Sequence, residues 1–292
     1  MNGLLVVNKP AGMTSHDVVS RVRKITGESS IGHLGTLDPM ATGVLPLLLG
    51  RYTRLAQFFR QDSKRYTGTI RFGFATDTYD ADGSPLGAGI LPNLTLAGIR
   101  HLAEEFQGII QQTPPPFSAK KLQGVPAYKL ARAGKPVELR TVPIEIREFE
   151  IFDYRVPEAY FSIEVSSGGY IRSIAHELGM RAGCGAHLAT LCRKEAGAFT
   201  LERSATLEQI AEWMKEETLG RHLPHPRLLL PELPSVTVND GTAMRLRNGM
   251  ACNLPEYSAA PMIKIFTSQV DLFGIGRRLA GTLIQPMAVL AE

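Results

Sequence analysis

Gly32-His-Leu-Gly-Thr-Leu-Asp-Pro-Met-Ala-Thr-Gly-Val-Leu45 sets one carboxylate, Asp38, in a stretch that is glycine-rich and apolar. Pro39 follows it, so the backbone at Asp38 is pushed out of the α region toward an extended shape. Gly32, Gly35 and Gly43 let the flanking chain adopt positive φ or approach a ligand closely. The apolar run over 44–49 reads as a strand entering the core. Two readings of Asp38 are open: an Asx turn feeding Pro39, or a catalytic carboxylate on a rigid loop beside a groove.

Upstream, residues 4–7 read as a buried strand ending at Lys9-Pro-Ala-Gly12, and Thr14 or Ser15 caps a helix to about Ile25, stopped by Gly27. Downstream, the sequence predicts a short helix over 52–59, a strand over 64–74 with Tyr66, Gly68, Ile70 and Phe72 on one face, a turn-rich loop over 78–85 and a helix over 96–106. Pro114-Pro-Pro116 is a rigid connector into Ser118-Ala-Lys-Lys121 and a short helix near 128–133. Strand patterns over 142–156 and 160–165 predict a hairpin. Ser166-Ser-Gly-Gly169 opens a helix over 170–181 whose Arg172 and His176, four apart, lie on one face. Residues 184–191 read as a Gly-Ala-rich turn leading into the core, and Thr206-Leu-Glu-Gln209 is a capping box for a helix to about Glu216.

Prolines and histidines gather over 220–234 and helical periodicity stops, which marks a linker. The chain therefore divides into a domain over 1–219, the linker, and a small β-rich module over 235–292. The large domain reads as α+β, with a mixed, mostly antiparallel sheet and flanking helices.

With 292 residues, 44% hydrophobic and 21% charged, the chain has the composition of a soluble globular protein, and no apolar run suits a signal peptide or a membrane span. Its three cysteines have no framework spacing, which suits a reducing cytoplasm. The net charge is only +4, but it is clustered. Lys120, Lys121, Lys129, Arg132, Lys135, Arg140 and Arg147 face only Glu138 and Glu145, and Arg60, Lys64, Arg65 and Arg71 face Asp62. Each cluster is either a solvated face or a nucleic-acid surface.

The sequence holds no phosphate loop and no dinucleotide fingerprint. His176, Cys184, His187 and Cys192 are ligand types without a metal-site spacing. Ser15-His16-Asp17 cannot converge as a triad, being sequence neighbours. What remains is a lone acid with no nearby carboxylate in sequence, tyrosines, and Arg172 as its candidate counter-ion against desolvation.

Lys9-Pro-Ala-Gly-Met-Thr-Ser15, the stretch around Asp38, Asp62-Ser-Lys-Arg-Tyr66, Gln112-Thr-Pro-Pro-Pro-Phe-Ser-Ala-Lys-Lys121 and Gly168-Gly-Tyr-Ile-Arg172 occur in this order. Together they resemble the bacterial TruB family of tRNA pseudouridine synthases, over about residues 3–199. The tail from about 235 is similar to that family's PUA-like RNA-binding module in position, length and strand content.

The resemblance implies isomerisation of uridine 55 in the tRNA T-loop, with no cofactor and no metal; the sequence shows no exposed coiled-coil pattern that argues for a dimer, so a monomer is expected. It makes Asp38 the catalytic aspartate, Tyr66 the tyrosine stacked on the target base, and Arg172 the partner that keeps Asp38 ionised. It makes Tyr170 and Leu191 pocket walls, and His33 the residue that fills the gap left by a flipped base. Lys9, Lys120 and Lys121 become RNA-binding residues, the last two within an RNA-binding insertion over about 108–147. Leu34 and Cys192 depart from the family pattern, Cys192 replacing the first arginine of a Leu-Arg-Arg run. The alternatives are a non-catalytic RNA-binding or RNA-folding protein on the same scaffold, and a synthase for a different RNA uridine.

Overall fold

The computed structural model describes residues 1–59, 63–90, 93–118, 121–122, 125–126 and 139–290, with 121–122 and 125–126 as backbone alone. Strands β1 (Gly3–Lys9), β2 (Ile31–His33) and β3 (Thr42–Leu49) pair antiparallel with β3 in the middle. Side chains of β1 alternate between two cores: Leu5 and Val7 enter one, Leu4 and Val6 the other. On β3 the division is Leu45, Leu47 and Leu49 against Val44 and Leu48. A strand covered on both faces has to be apolar throughout, which is why both runs look continuous in sequence.

Helix α1 (Ser15–Thr26) connects β1 to β2. The Thr14 hydroxyl accepts from the Asp17 N–H at 3.0 Å while the Asp17 carboxylate accepts from the Thr14 N–H at 2.8 Å, a closed capping box. Gly27, at φ 70°, ends the helix in the left-handed conformation. Thr14 is therefore the cap, and Ser15 is buried for another purpose.

Then follow β4 (Lys64–Phe72), a ribbon of β5 (Ala75–Thr76) and β6 (Pro85–Leu86), α2 (Leu96–Glu104), β7 (Gly108–Gln112), and the short pair β8 (Lys121–Leu122) and β9 (Val125–Pro126). The hairpin of β10 (Val142–Arg155) and β11 (Glu158–Val165) leads to α3 (Ile171–Arg181), β12 (Ala186–Ala196), β13 (Phe199–Thr200), α4 (Leu207–Lys215) and α5 (Leu219–His222). The nine-stranded sheet runs β1-β3-β12-β4-β11-β10-β7, with β2 beside β3 and β13 beside β12. Its pairings are antiparallel except that of β3 with β12, so the expected mixed, mostly antiparallel sheet is present. Gly43, at φ 100°, sits at the parallel contact, where a side chain would collide with the Arg193 backbone. That glycine serves the approach of two protein strands.

Strand β12 corrects the expected turn over 184–191. Its sequence, Ala-His-Leu-Ala-Thr-Leu-Cys-Arg-Lys-Glu-Ala, hides the alternation because His187 and Arg193 are buried polar side chains in a central strand. The short helix expected near 128–133 lies outside the described residues.

The C-terminal sheet has the order β14-β16-β17-β18-β15, built from β14 (Ser235–Thr237), β15 (Cys252–Asn253), β16 (Met262–Phe266), β17 (Leu272–Ala280) and β18 (Leu283–Val289). Phe266, Leu272, Ile275 and Leu290 share a core with Leu4, Val6, Val44 and Leu48. Leu229, Leu230 and Leu233, within the stretch read as a linker, are buried in that same core. Their apolar spacing was masked by the surrounding prolines. The helix α6 (Asp240–Arg247), which the sequence reading did not predict, buries only Ala243 and Leu246, so its periodic signal is thin. Among the described residues no helix is long and apolar enough to cross a membrane.

Candidate active site

Asp38 sits in the turn between β2 and β3, and both of its neighbours are held by the segment at the end of β1 and the start of α1. The Ser15 hydroxyl accepts from the Leu37 N–H at 2.8 Å and lies 3.1 Å from the Leu37 carbonyl, to which it donates. On the other side the Pro39 carbonyl accepts from Lys9 Nζ at 3.1 Å and from the Gly12 N–H at 2.9 Å. The Asp38 carbonyl accepts from the Ala41 N–H at 3.1 Å, closing the turn with backbone. The carboxylate is free of that task.

It is used by Arg172, in the first turn of α3. Nη2 donates to Asp38 Oδ1 at 2.8 Å and to the Phe117 carbonyl at 3.0 Å, while Nη1 donates to the Thr78 carbonyl at 3.1 Å and pairs with Asp80 Oδ2 at 3.3 Å. The start of α3 is fixed against β7: Gln112 donates to the Tyr170 carbonyl at 3.0 Å and accepts from its N–H at 2.8 Å. The Arg172 and Asp80 side chains are each 6% exposed, against 31% for Asp38. Of the three charged groups, only Asp38 opens to a ligand. The Asx-turn reading therefore gives way to a partly exposed carboxylate backed by a buried guanidinium.

The acid is not solitary, as the sequence suggested. Asp80 shares its guanidinium and is itself held by Thr78 Oγ1 at 2.5 Å and by the Asp82 N–H at 3.2 Å. Burial pushes the Asp38 carboxyl above the usual carboxylate range, Arg172 pulls it back down, and Asp80 pushes it up again, leaving it raised overall. Asp80 gave no signal in sequence, because Thr78-Tyr-Asp-Ala-Asp-Gly83 has the composition of any surface turn.

Tyr66 on β4 is 6% exposed, lies opposite Ile163 and Arg193, and shares a core with Leu37, Ala41 and Leu191. Leu191 on β12 is equally buried. Tyr170 occupies the N-cap position of α3, two residues before Arg172, and burial raises its phenol. His33 is half-buried on β2; burial, then the Arg193 charge, lower its imidazole, so it presents a neutral ring.

Lys9 requires correction as an RNA contact. It is fully buried, its ammonium donating to the carbonyls of Pro10, Met13 and Pro39 at 2.9, 2.6 and 3.1 Å. It braces the Asp38 turn from below. The Arg60 to Arg71 cluster is also partly neutralised: Arg65 pairs with Glu148 and Glu164, and Arg71 with Glu158. Arg147, from the other cluster, pairs with Glu145 and Glu164. Lys120 lies outside the described residues, as does the Lys121 side chain. Arg193, fully buried beneath the turn, donates to the carbonyls of Val44 at 2.7 Å and Gly35 at 3.1 Å.

The overall fold matches that of chains in two solved assemblies. A structure of an H/ACA RNP bound to a substrate RNA containing 2'-deoxyuridine superposes with a TM-score of 0.72 at 23% identity, over 99% of this chain and 85% of that one. A Cbf5-Nop10-Gar1 complex superposes with a TM-score of 0.72 at 24% identity and the same coverage. Residues 23–171 match the model of the TruB family pseudouridylate synthase N-terminal domain, and residues 172–231 that of the tRNA pseudouridylate synthase B C-terminal domain. The tRNA pseudouridine synthase B of Solibacter usitatus is 42% identical over 99% of this chain and all of that protein, and that of Aquifex aeolicus 37% identical over 99% and 100%. The chain belongs to the TruB family.

Proposed function

We propose that the protein converts uridine 55 of the tRNA T-loop to pseudouridine, with Asp38 as the reacting carboxylate and without a cofactor. It binds the T-arm stem-loop as a monomer, in the cytoplasm. The observation that carries the reading is the 2.8 Å contact of Asp38 with Arg172, in which the arginine is buried and the acid is partly exposed.

The target base is inaccessible in a folded loop, so it has to leave the stack, at about a few kcal/mol. His33, a neutral ring at the rim, suits the space the base vacates. Tyr66 and Leu191 offer apolar faces for the uracil. The bond between N1 and C1′ then breaks, the uracil turns, and C5 bonds to C1′. N1 gains a proton and C5 loses one. Asp38 serves either as a nucleophile or as the base that takes the 2′ proton of the ribose. Both routes need it ionised, and Arg172 favours that form. Tyr66 is the candidate acceptor of the C5 proton. The basic residues over 120–140 track the RNA backbone, and the module over 235–290 adds contact area.

The test is release of tritium from C5-labelled uridine in a T-arm stem-loop, with the product position mapped in whole tRNA. Asp38→Asn is expected to abolish release and keep RNA binding. Tight binding by the wild type without release would support the non-catalytic alternative, and release from a different uridine would support the other.

A further inference from the structure

Tyr79 and His176 form a stack that neither the sequence motifs nor the reaction uses. Their ring centroids are 3.8 Å apart and their planes differ by 10°. Tyr79 is one of few non-glycine residues at positive φ, 66°, a conformation that persists only where the surroundings impose it. Those surroundings are specific. The Tyr79 carbonyl accepts from the Leu188 N–H at 3.0 Å and the Ala81 N–H donates to the Leu188 carbonyl at 3.0 Å, so β12 grips the loop on both sides of Asp80. Thr76 Oγ1 donates to the Asp80 carbonyl at 2.7 Å. Thr78 Oγ1 and the Asp82 N–H hold the Asp80 carboxylate, and Arg172 itself reaches the loop at the Thr78 carbonyl and Asp80 Oδ2; the ring of Tyr79 against His176 is a separate link between this loop and α3.

His176 lies four residues beyond Arg172 on α3, one turn away on the same side of the helix. The stack therefore ties the residue before Asp80 to the helix that carries Arg172. We propose that Tyr79 and His176 are a positioning pair for the reaction: their stacked rings set the distance between the Asp80 loop and α3, and so the aim of the Arg172 guanidinium at Asp38. His176 Nδ1 is buried without a hydrogen-bond partner among the described residues. The two side chains meet through their ring faces. The proposal rests on Asp38 being the reacting carboxylate.

The experiment uses the full chain, a saturating T-arm stem-loop, and three readouts: single-turnover rate, RNA Kd and thermal midpoint. Tyr79→Gly removes the ring while glycine occupies the same φ without strain. It and His176→Ala are each expected to slow the single-turnover rate roughly tenfold, as small misplacements of reacting groups do. RNA Kd is expected to stay within about twofold. Y79G/H176A is expected to be no slower than either single variant, because both remove one interaction. Tyr79→Phe and His176→Phe, which keep stacking rings, are expected to recover most of the rate.

A wild-type rate in Tyr79→Gly, losses that multiply in the double variant, or failure of both phenylalanine variants to recover overturns the proposal. Asp38→Asn run in parallel separates the two levels. If it is inactive while Tyr79→Gly is unimpaired, the pair alone is wrong; if it remains active, the reading of the site falls and the pair with it.

Discussion

Ser15 and Leu37, 22 residues apart, exchange two hydrogen bonds at 2.8 and 3.1 Å between one buried hydroxyl and the N–H and carbonyl of one residue. Through them the start of α1 fixes the residue before Asp38. Ser15→Ala leaves the buried Leu37 N–H unpaired, which costs about 1–3 kcal/mol. Urea unfolding is expected to show that loss, and single-turnover assays a slower rate at unchanged RNA affinity. A variant as stable and as fast as the wild type would remove the brace from the account.

Lys9 braces the other side. Lys9→Met strips three carbonyls of a charged donor, at a cost of about 3–5 kcal/mol if the site cannot rearrange. The dependence of RNA affinity on salt is expected to keep its slope, since a buried ammonium releases no counterion. A shallower slope would restore the phosphate-contact role.

The same lysine makes stability depend on pH. Burial lowers its pKa from 10.5 to about 8, so between those values the folded chain has released a proton that the unfolded chain keeps. Lys9 therefore contributes stability that rises as pH climbs from about 8 toward 10.5. Denaturant titrations across that window, wild type against Lys9→Met, are expected to show the difference in slope.

Asp38 runs the other way. Its raised carboxyl means that the folded state disfavours the ionised form, so its contribution to stability grows as pH falls through the folded pKa. Asp38→Asn is expected to unfold no earlier than the wild type at neutral pH while losing activity, as at sites that hold a destabilised charge for function. The acid limb of the single-turnover profile is expected to lie above 3.8, the ordinary value. A large fall in thermal midpoint for Asp38→Asn would contradict this.

Salt dependence also separates the basic clusters. Lys120→Ala and Lys121→Ala are each expected to reduce the slope of log K against log salt by about one, if each side chain neutralises a phosphate. Arg65→Ala is expected to leave it unchanged, because that guanidinium is already paired with Glu148 and Glu164.

Residue types and spacing were enough to locate the apolar strands around Asp38, a cap for α1 at Thr14 or Ser15, the α4 capping box, the β10–β11 hairpin and Arg172 as a candidate counter-ion. Each of these is a local pattern, or an ordered motif that a resemblance can carry. Only the tertiary structure revealed Asp80 beside Arg172, the Ser15 brace, the buried role of Lys9 and the strand hidden in 186–196. These depend on contacts between residues far apart in the chain, and on buried polar side chains that imitate surface composition until their partners are known. The sequence marked Asp38 as an acid in an unusual loop; the fold decided that its carboxylate stays partly exposed, with a buried guanidinium shared by a second aspartate behind it.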